Sequence, residues 1–299
     1  MIPDVQSIHE LPVLHPVVYL LTMASTLFYA TASLLQHHEA RRQPAALSLH
    51  PALLKGLIRR PLWLLGTAAD IAGFVAQAAA LSRGSIIIVE AIKTSGIVVT
   101  LGLGALVGTR IRADQWPRIT VVVFGLFVFL VLAHPDSGRR SPTILSWVAV
   151  TVVTVTVAGS GLRMARNHTG GPRSLGLGVA TGAIWAVTAA LLKQILNQNQ
   201  THRWALLTQP ALWAFVAVAL VGFVINQSAF QAGELVWSLP ALTIVEPILA
   251  SLYGIILFKE TIHIGTIYRT FALIAGATAA LIAAGSLALN LDRKPAHAD

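Results

Sequence analysis

The sequence predicts an all-α integral membrane protein with about nine transmembrane helices, arranged as two inverted four-helix repeats joined by one linking helix. Composition is the first observation: 55% of the 299 residues are hydrophobic and 11% are charged, against about 25% charged residues in an average soluble domain. The second is a mean hydropathy of +0.72, and the third is an internal repeat. We therefore predict a single membrane domain over residues 1–299.

The basic residues do not indicate nucleic-acid binding. The net charge of +9 comes from Lys and Arg in short connectors between apolar runs, without the aromatic-interleaved basic patch of a nucleic-acid interface. The sequence contains no cysteine, which excludes disulfides, thiolate metal sites and a cysteine nucleophile. We predict no nucleic-acid partner and no cofactor, and the expected partners are the lipid bilayer and a small-molecule or ion substrate.

The apolar runs follow one another along the chain, separated by polar connectors. A run of about 20 apolar residues spans the hydrocarbon core of a bilayer. The nine predicted helices lie at about residues 16–36, 61–82, 85–107, 119–133, 142–165, 175–196, 210–231, 235–258 and 266–289. The connector at residues 37–60 is the most basic and is expected to lie partly along the membrane surface, and residues 291–299 form a polar tail.

Charge orients these helices. With the N-terminus outside, the inner connectors and the tail hold twelve Lys and Arg residues, and the outer connectors hold five. Because basic residues accumulate on the cytoplasmic side of membrane proteins, we predict a multi-pass protein of the cell (plasma or inner) membrane with its N-terminus outside and its C-terminus in the cytoplasm.

An internal repeat relates the two halves of the chain. Residues 61–86 resemble residues 210–235, and upstream residues 25–36 resemble residues 181–193. The aligned pairs include Trp63 with Trp213, Gly73 with Gly222, and Gly84 with Gly233. The predicted repeats are residues 16–133 and 173–290, with the linking helix at 142–165. A single helix between two four-helix units inverts the second unit, and many secondary transporters bind substrate near the midplane between such inverted repeats.

The eighth run is the most informative, because a carboxylate and two prolines interrupt its apolar sequence. Glu246 and Pro247 lie near its middle, and Pro240 lies in its first third. A charged side chain at the centre of a membrane helix costs at least about 2.5 to 3.5 kcal/mol, and Pro247 frees a carbonyl that lipid cannot satisfy. We predict that Glu246 binds substrate or a proton in a cavity, the alternative being a hydrogen-bonded structural carboxyl group.

Two further groups of polar residues lie within predicted helices. Asp70, Gly73 and Gln77 share one helix face, which favours either a cavity lining or an interhelical contact with close glycine packing. Glu90 and Lys93 are spaced to form a buried ion pair. This pair is a candidate binding site, in which substrate or a proton competes for one partner, or else a structural pair.

Two amides complete the set of candidate site residues, and one further lysine is assigned to the membrane surface. Asn226 and Gln227 are neighbours and cannot face the same way, so we expect one to face the cavity, with an interhelical packing contact as the alternative. Lys193 lies near a helix end and is expected to extend its amine to the membrane surface.

The segment LPALTIVEPILASLYGIILFKE (residues 239–260) resembles the C-terminal signature of the EamA-like drug/metabolite transporter (DMT) superfamily. More specifically, the sequence resembles the NIPA-type magnesium transporter branch. The resemblance rests on the nine helices, on GSIIIVEAIKTSG at residues 84–96 and on the polar end of the first helix at Gln36. The resemblance implies transport by alternating access. Where the NIPA pattern has proline in the third helix, this sequence has Glu90, with Lys93 one turn later.

These observations favour a secondary transporter that moves a small solute, with or without proton coupling. A Mg²⁺ or other divalent-cation transporter is the alternative, since a few carboxylates and amides can hold hydrated Mg²⁺, although Lys93 would cancel one carboxylate. A non-transporting membrane scaffold or accessory protein is the alternative from another class. We do not expect an enzyme, because the connectors carry no clustered acid–base or metal-ligand motif.

Overall fold

The computed structural model describes residues 16–96, 99–100, 135–136, 142–198, 207–233 and 235–262. These residues are predominantly helical. The helices are α1 (Pro16–Ala40), α2 (Ala52–Leu57), α3 (Pro61–Leu81), α4 (Ile86–Thr94), α5 (Ile144–Asn167), α6 (Gly170–Gln198), α7 (Pro210–Ala232) and α8 (Leu235–Tyr253), with a 3-10 turn at Ala45–Leu47 and a π-helical turn at Gly254–Phe258. The two-residue strands β1 (Pro135–Asp136) and β2 (Thr261–Ile262) pair antiparallel.

Six helical segments are long and apolar enough to cross a membrane. They are Pro16–Ala40, Pro61–Leu81, Ile144–Asn167, Gly170–Gln198, Pro210–Ala232 and Trp237–Phe258. The prediction of a helical membrane protein is confirmed at this level. The predicted helices at 119–133 and 266–289, the end of the third, and the polar tail lie outside the described residues.

Local sequence signals explain several helix boundaries. Pro61 and Pro210 begin α3 and α7, where a missing N–H costs nothing and the fixed φ angle suits a helix. The Ser85 hydroxyl caps α4 by accepting a hydrogen bond from the Ile88 N–H, at 3.1 Å. Helix α6 begins at Gly170, five residues before its predicted start, because this glycine adopts φ +62° and turns the chain directly from α5 into α6.

The core of the described bundle surrounds α6. In its most apolar stretch 78% of residues are buried, against 22% in α5. Helix α6 packs against α5, α7 and α8, whereas α5 leaves Val148, Val152 and Val155 exposed. Exposed valines along a membrane-length helix are the surface that lipid chains contact, so α5 lies at the periphery of this bundle.

Glycines at these interfaces bring α5 and α8 unusually close to α6. A Cβ atom on Gly161 of α5 would lie 2.5 Å from the backbone oxygen of Gly176. One on Gly182 would lie 3.0 Å from the Leu242 oxygen and 3.1 Å from the Glu246 nitrogen of α8. Because these obstacles are backbone atoms, a larger residue would separate the helices. Gly182 therefore allows the Glu246 segment of α8 to pack directly against α6.

Candidate functional site

A cavity of about 460 Å³ lies among α1, α3, α4, α6, α7 and α8. Its walls are largely apolar and include the rings of Phe74, Trp185, Phe215 and Phe223. Six of the seven residues selected from the sequence line it, and these are Asp70, Gln77, Glu90, Lys93, Asn226 and Glu246. Gln227 does not line the cavity, and instead makes hydrogen bonds between helices.

Three charged side chains form a carboxylate–lysine cluster (Glu90, Lys93, Glu246) in the cavity wall. The Lys93 ammonium lies 2.6 Å from Glu246 Oε1 and 3.1 Å from both carboxylate oxygens of Glu90. All three side chains are at most 12% exposed. Because Glu90 and Lys93 belong to α4 and Glu246 to α8, the lysine joins one helix of each predicted repeat.

The cluster continues into α1 and α3 through neutral groups. The Gln77 amide donates to Glu90 Oε1 at 3.2 Å, and the Tyr29 hydroxyl donates to Gln77 Oε1 at 2.7 Å. The Lys93 amine also lies 5.5 Å from the centre of the Tyr29 ring, within the range of a cation–π contact. With its three members ionised, the cluster has one uncompensated negative charge, which a proton, a cation or a hydrogen-bond donor could neutralise.

A second polar chain reaches the cavity at Asp70. The Trp63 indole donates to Gln227 Oε1 at 3.0 Å. The Gln227 amide then donates to Gln36 Oε1 at 2.6 Å, and the Gln36 amide donates to Asp70 Oδ2. An indole N–H can only donate, so it fixes the orientation of both amides. The chain crosses α3, α7 and α1, and it delivers a hydrogen-bond donor to the carboxyl group of Asp70.

Asp70 and Gly73 therefore combine the two alternatives drawn from their spacing. Asp70 lines the cavity and also joins an interhelical hydrogen-bond chain. Gly73 lies against α1, where an added Cβ atom would be 3.1 Å from ring atoms of Tyr29. This close approach brings α1 and α3 together beside the cavity.

We expect Gln227→Leu to destabilise the protein more than Asn226→Leu. The first change leaves the Trp63 N–H and the Gln36 oxygen without buried partners, at a cost of about 1–3 kcal/mol each. Asn226 Oδ1 accepts no hydrogen bond in the described structure, so its loss strands no partner there. Thermal unfolding of both variants in one detergent compares them, and equal melting temperatures would contradict the assigned chain.

The structure contradicts the prediction that Lys193 extends its amine to the membrane surface. Its side chain is 2% exposed, and its amine contacts Glu260 Oε1 at 2.5 Å and the Gly84 carbonyl oxygen at 3.2 Å. The Glu260 carboxylate also accepts from the Ile86 and Ile87 N–H groups, at 2.9 and 3.2 Å. Helix N-termini stabilise carboxylates. The Glu260 carboxylate, held by the N-terminus of α4, therefore makes burial of the Lys193 amine favourable.

The chain is similar to an uncharacterized protein of Corynebacterium glutamicum. The two are 29% identical over 252 residues, which cover 82% of this chain and 86% of the relative. The match therefore extends over most of both proteins. No protein-family model matches the sequence, and no solved structure matches it.

The sequence pattern did not single out Tyr29, Gln36, Trp63 or Glu260 as site residues. One signal was present for the amides: Asn226 follows Gly222 by four residues, as Gln77 follows Gly73. Both amides line the cavity. The repeat could therefore have distinguished Asn226 from Gln227.

Proposed function

We propose that this protein is a secondary membrane transporter of the drug/metabolite transporter type, which moves a small solute by alternating access. One observation carries the proposal: a cluster of three largely buried charges lies in the wall of a cavity and joins α4 to α8. Charges inside a membrane bundle are costly and are most often found on substrate, ion or proton paths.

Matching glycine contacts in the two halves support the internal repeat on which the proposal draws. Gly73 of α3 packs against Phe28 and Tyr29 of α1. At the aligned position, Gly222 of α7 packs against Ile184 of α6. Because α1 and α6 are themselves aligned in the repeat, both halves use a glycine at the same helix pair. This is the relation expected of two copies of one folding unit.

The contacts of Lys93 suit alternating access, because they connect two helices that would have to separate. In the conformation described, it binds carboxylates on α4 and α8 at once. A solute or proton that neutralises Glu246 would weaken this connection, so that α8 could move relative to α4. Lys93 would then retain Glu90, which is adjacent on its own helix.

The ammonium of Lys93 disfavours the divalent-cation alternative. It lies between Glu90 and Glu246 and contacts both carboxylates. A divalent cation bound by these two carboxylates would have to take the same position. Within the described ranges, no group of three His, Asp or Glu side chains is placed to hold a metal ion. A scaffold protein, the remaining alternative, would have no use for buried charges beside a cavity.

Solute flux in sealed proteoliposomes tests the proposal. The flux of Mg²⁺ and of each solute in a panel of organic metabolites is measured for wild type and for Glu246→Gln, with and without a pH gradient. We expect wild type to transport an organic solute and Glu246→Gln to lose at least about tenfold in rate, equivalent to about 1.4 kcal/mol. The charge-matched control is Glu39→Gln, whose carboxylate pairs with Arg42 outside the cavity. Equal flux through Glu246→Gln and wild type would contradict the assigned role, and a Mg²⁺ flux lost in Glu246→Gln would favour the alternative.

A further inference from the structure

Among the described residues, exposed side chains near the middle of α3 and α7 border the cavity. Ile71 lies near the middle of α3 and Leu220 near the middle of α7. Both residues line the cavity, yet they remain 60% and 61% exposed. Val216, one turn before Leu220, also lines the cavity and is exposed. A cavity bordered by exposed side chains at mid-helix opens toward hydrocarbon rather than toward water.

Aromatic contacts close α3 against α7 on both sides of this opening. Toward one end, the rings of Phe74 and Phe215 have centroids 5.7 Å apart. Toward the other, Trp63 and Phe223 have centroids 6.0 Å apart, and Trp63 also donates to a side chain of α7. The two helices therefore meet above and below the gap, which gives it the form of a window with fixed ends.

The chemistry of the cavity changes from this opening to its interior. The border of the opening is aliphatic, whereas the carboxylate–lysine cluster supplies charge and hydrogen bonds to the same space. A volume of about 460 Å³ lies within the usual range of roughly 300–1,000 Å³ for small-molecule sites. A wholly polar solute held here would face hydrocarbon through the opening, which is unfavourable because its polar groups would lose hydrogen-bond partners. An apolar chain would fill the same opening favourably.

We propose that this opening, bordered by Ile71, Val216 and Leu220, is a lateral portal for a single-chain amphiphile. The polar head of the amphiphile binds at the carboxylate–lysine cluster, and its chain passes between α3 and α7 into the bilayer. This inference rests on the proposed transport function, whose substrate class it narrows from any small solute to molecules that partition into the membrane.

Photolabelling tests the portal without requiring flux. The probes are palmitylamine, palmitic acid and palmityl alcohol, each with a diazirine in the part of the chain nearest the head group, added to the protein in phosphatidylcholine proteoliposomes. We expect at least one head group to label peptides of α3 or α7 in the wild-type protein. Leu220→Trp, which fills the opening, is expected to reduce this labelling several-fold. Val152→Trp is the control, since Val152 is similarly exposed on α5 but does not line the cavity.

A second measurement protects the test against a variant that misfolds. The chain has no cysteine, so Ile71→Cys, Leu220→Cys and Val152→Cys each accept a single nitroxide label in an otherwise native protein. We expect all three labels to be relaxed by oxygen, which dissolves in hydrocarbon, and to be protected from a water-soluble nickel chelate. A label at position 71 or 220 that is shielded from oxygen, or accessible to the nickel chelate, would overturn the portal.

The outcomes separate the portal from the transport proposal. Labelling of α3 or α7 that Leu220→Trp suppresses, without flux of any amphiphile or of any solute in the metabolite panel, supports the portal and contradicts transport. Flux of a water-soluble solute that Leu220→Trp leaves unchanged, together with no labelling of α3 or α7 by any of the three probes, overturns the portal and leaves transport standing. Equal labelling of Leu220→Trp and Val152→Trp would also overturn it.

Discussion

Replacing Lys93 with methionine is expected to abolish transport and to lower the free energy of unfolding by about 3–5 kcal/mol. The change removes the ammonium that lies 2.6 Å from Glu246 and 3.1 Å from Glu90. Two carboxyl groups would then remain in the cavity wall without their shared cation. Breaking a buried ion pair from one side costs far more than the pair itself contributes, because a charge is left uncompensated. Steric trapping in bicelles measures the free energy, and proteoliposome flux measures transport.

The triple variant Lys93→Met, Glu90→Gln, Glu246→Gln separates the two effects. It removes all three charges together, so we expect most of the lost stability to return, since neutral replacements of complete buried ion pairs are often tolerated. Transport should remain absent, because the groups that bind substrate or a proton are gone. Normal transport by this triple variant would show that the cluster is structural. Unchanged stability of Lys93→Met alone would show that Lys93 does not join α4 to α8.

The second large effect is expected at the other buried ion pair. Lys193→Met removes the ammonium that contacts Glu260, and neither side chain is more than 2% exposed. We expect a loss of about 3–5 kcal/mol in the free energy of unfolding, toward the lower value because Glu260 keeps the N–H groups of Ile86 and Ile87. The ammonium contact with the Gly84 carbonyl oxygen is lost as well.

Lys259→Met is the matched control for this prediction. Lys259 precedes Glu260 in sequence, but it is exposed, and surface substitutions usually change stability by less than about 0.5 kcal/mol. The double variant Lys193→Met, Glu260→Gln should recover part of the loss. If Lys193→Met and Lys259→Met unfold with the same free energy, the buried pair does not stabilise the fold as described.

The sequence could identify the cavity residues because the membrane makes polar side chains conspicuous. Asp70, Glu90 and Glu246 were selected on the cost of a carboxyl group inside a spanning helix, and helical spacing added Gln77 and Lys93. The structure brings all five to one cavity. Their roles in binding stay predictions, because position alone does not assign a role.

The partners of these residues could not be predicted, because they depend on which helices touch. Spacing along α4 indicates the Glu90–Lys93 pair, but contact of Lys93 with Glu246 requires α4 to lie against α8. The same reason explains the wrong prediction for Lys193. A lysine near a helix end extends to the surface by default, and only the return of the chain after α8 places the carboxylate of Glu260 beside it.

Accessibility of one cavity residue from both sides of the membrane tests alternating access most directly. Thr188 is buried and lines the cavity, and the absence of native cysteine makes Thr188→Cys a single thiol target. Sealed proteoliposomes are prepared in which all protein molecules are inserted in the same orientation. A membrane-impermeant maleimide is added to the outside only in one sample and to the inside only in another. We predict labelling of the same cysteine from either side, slowed from both sides by the transported solute. Labelling from one side only, with the thiol reactive after denaturation, would contradict alternating access.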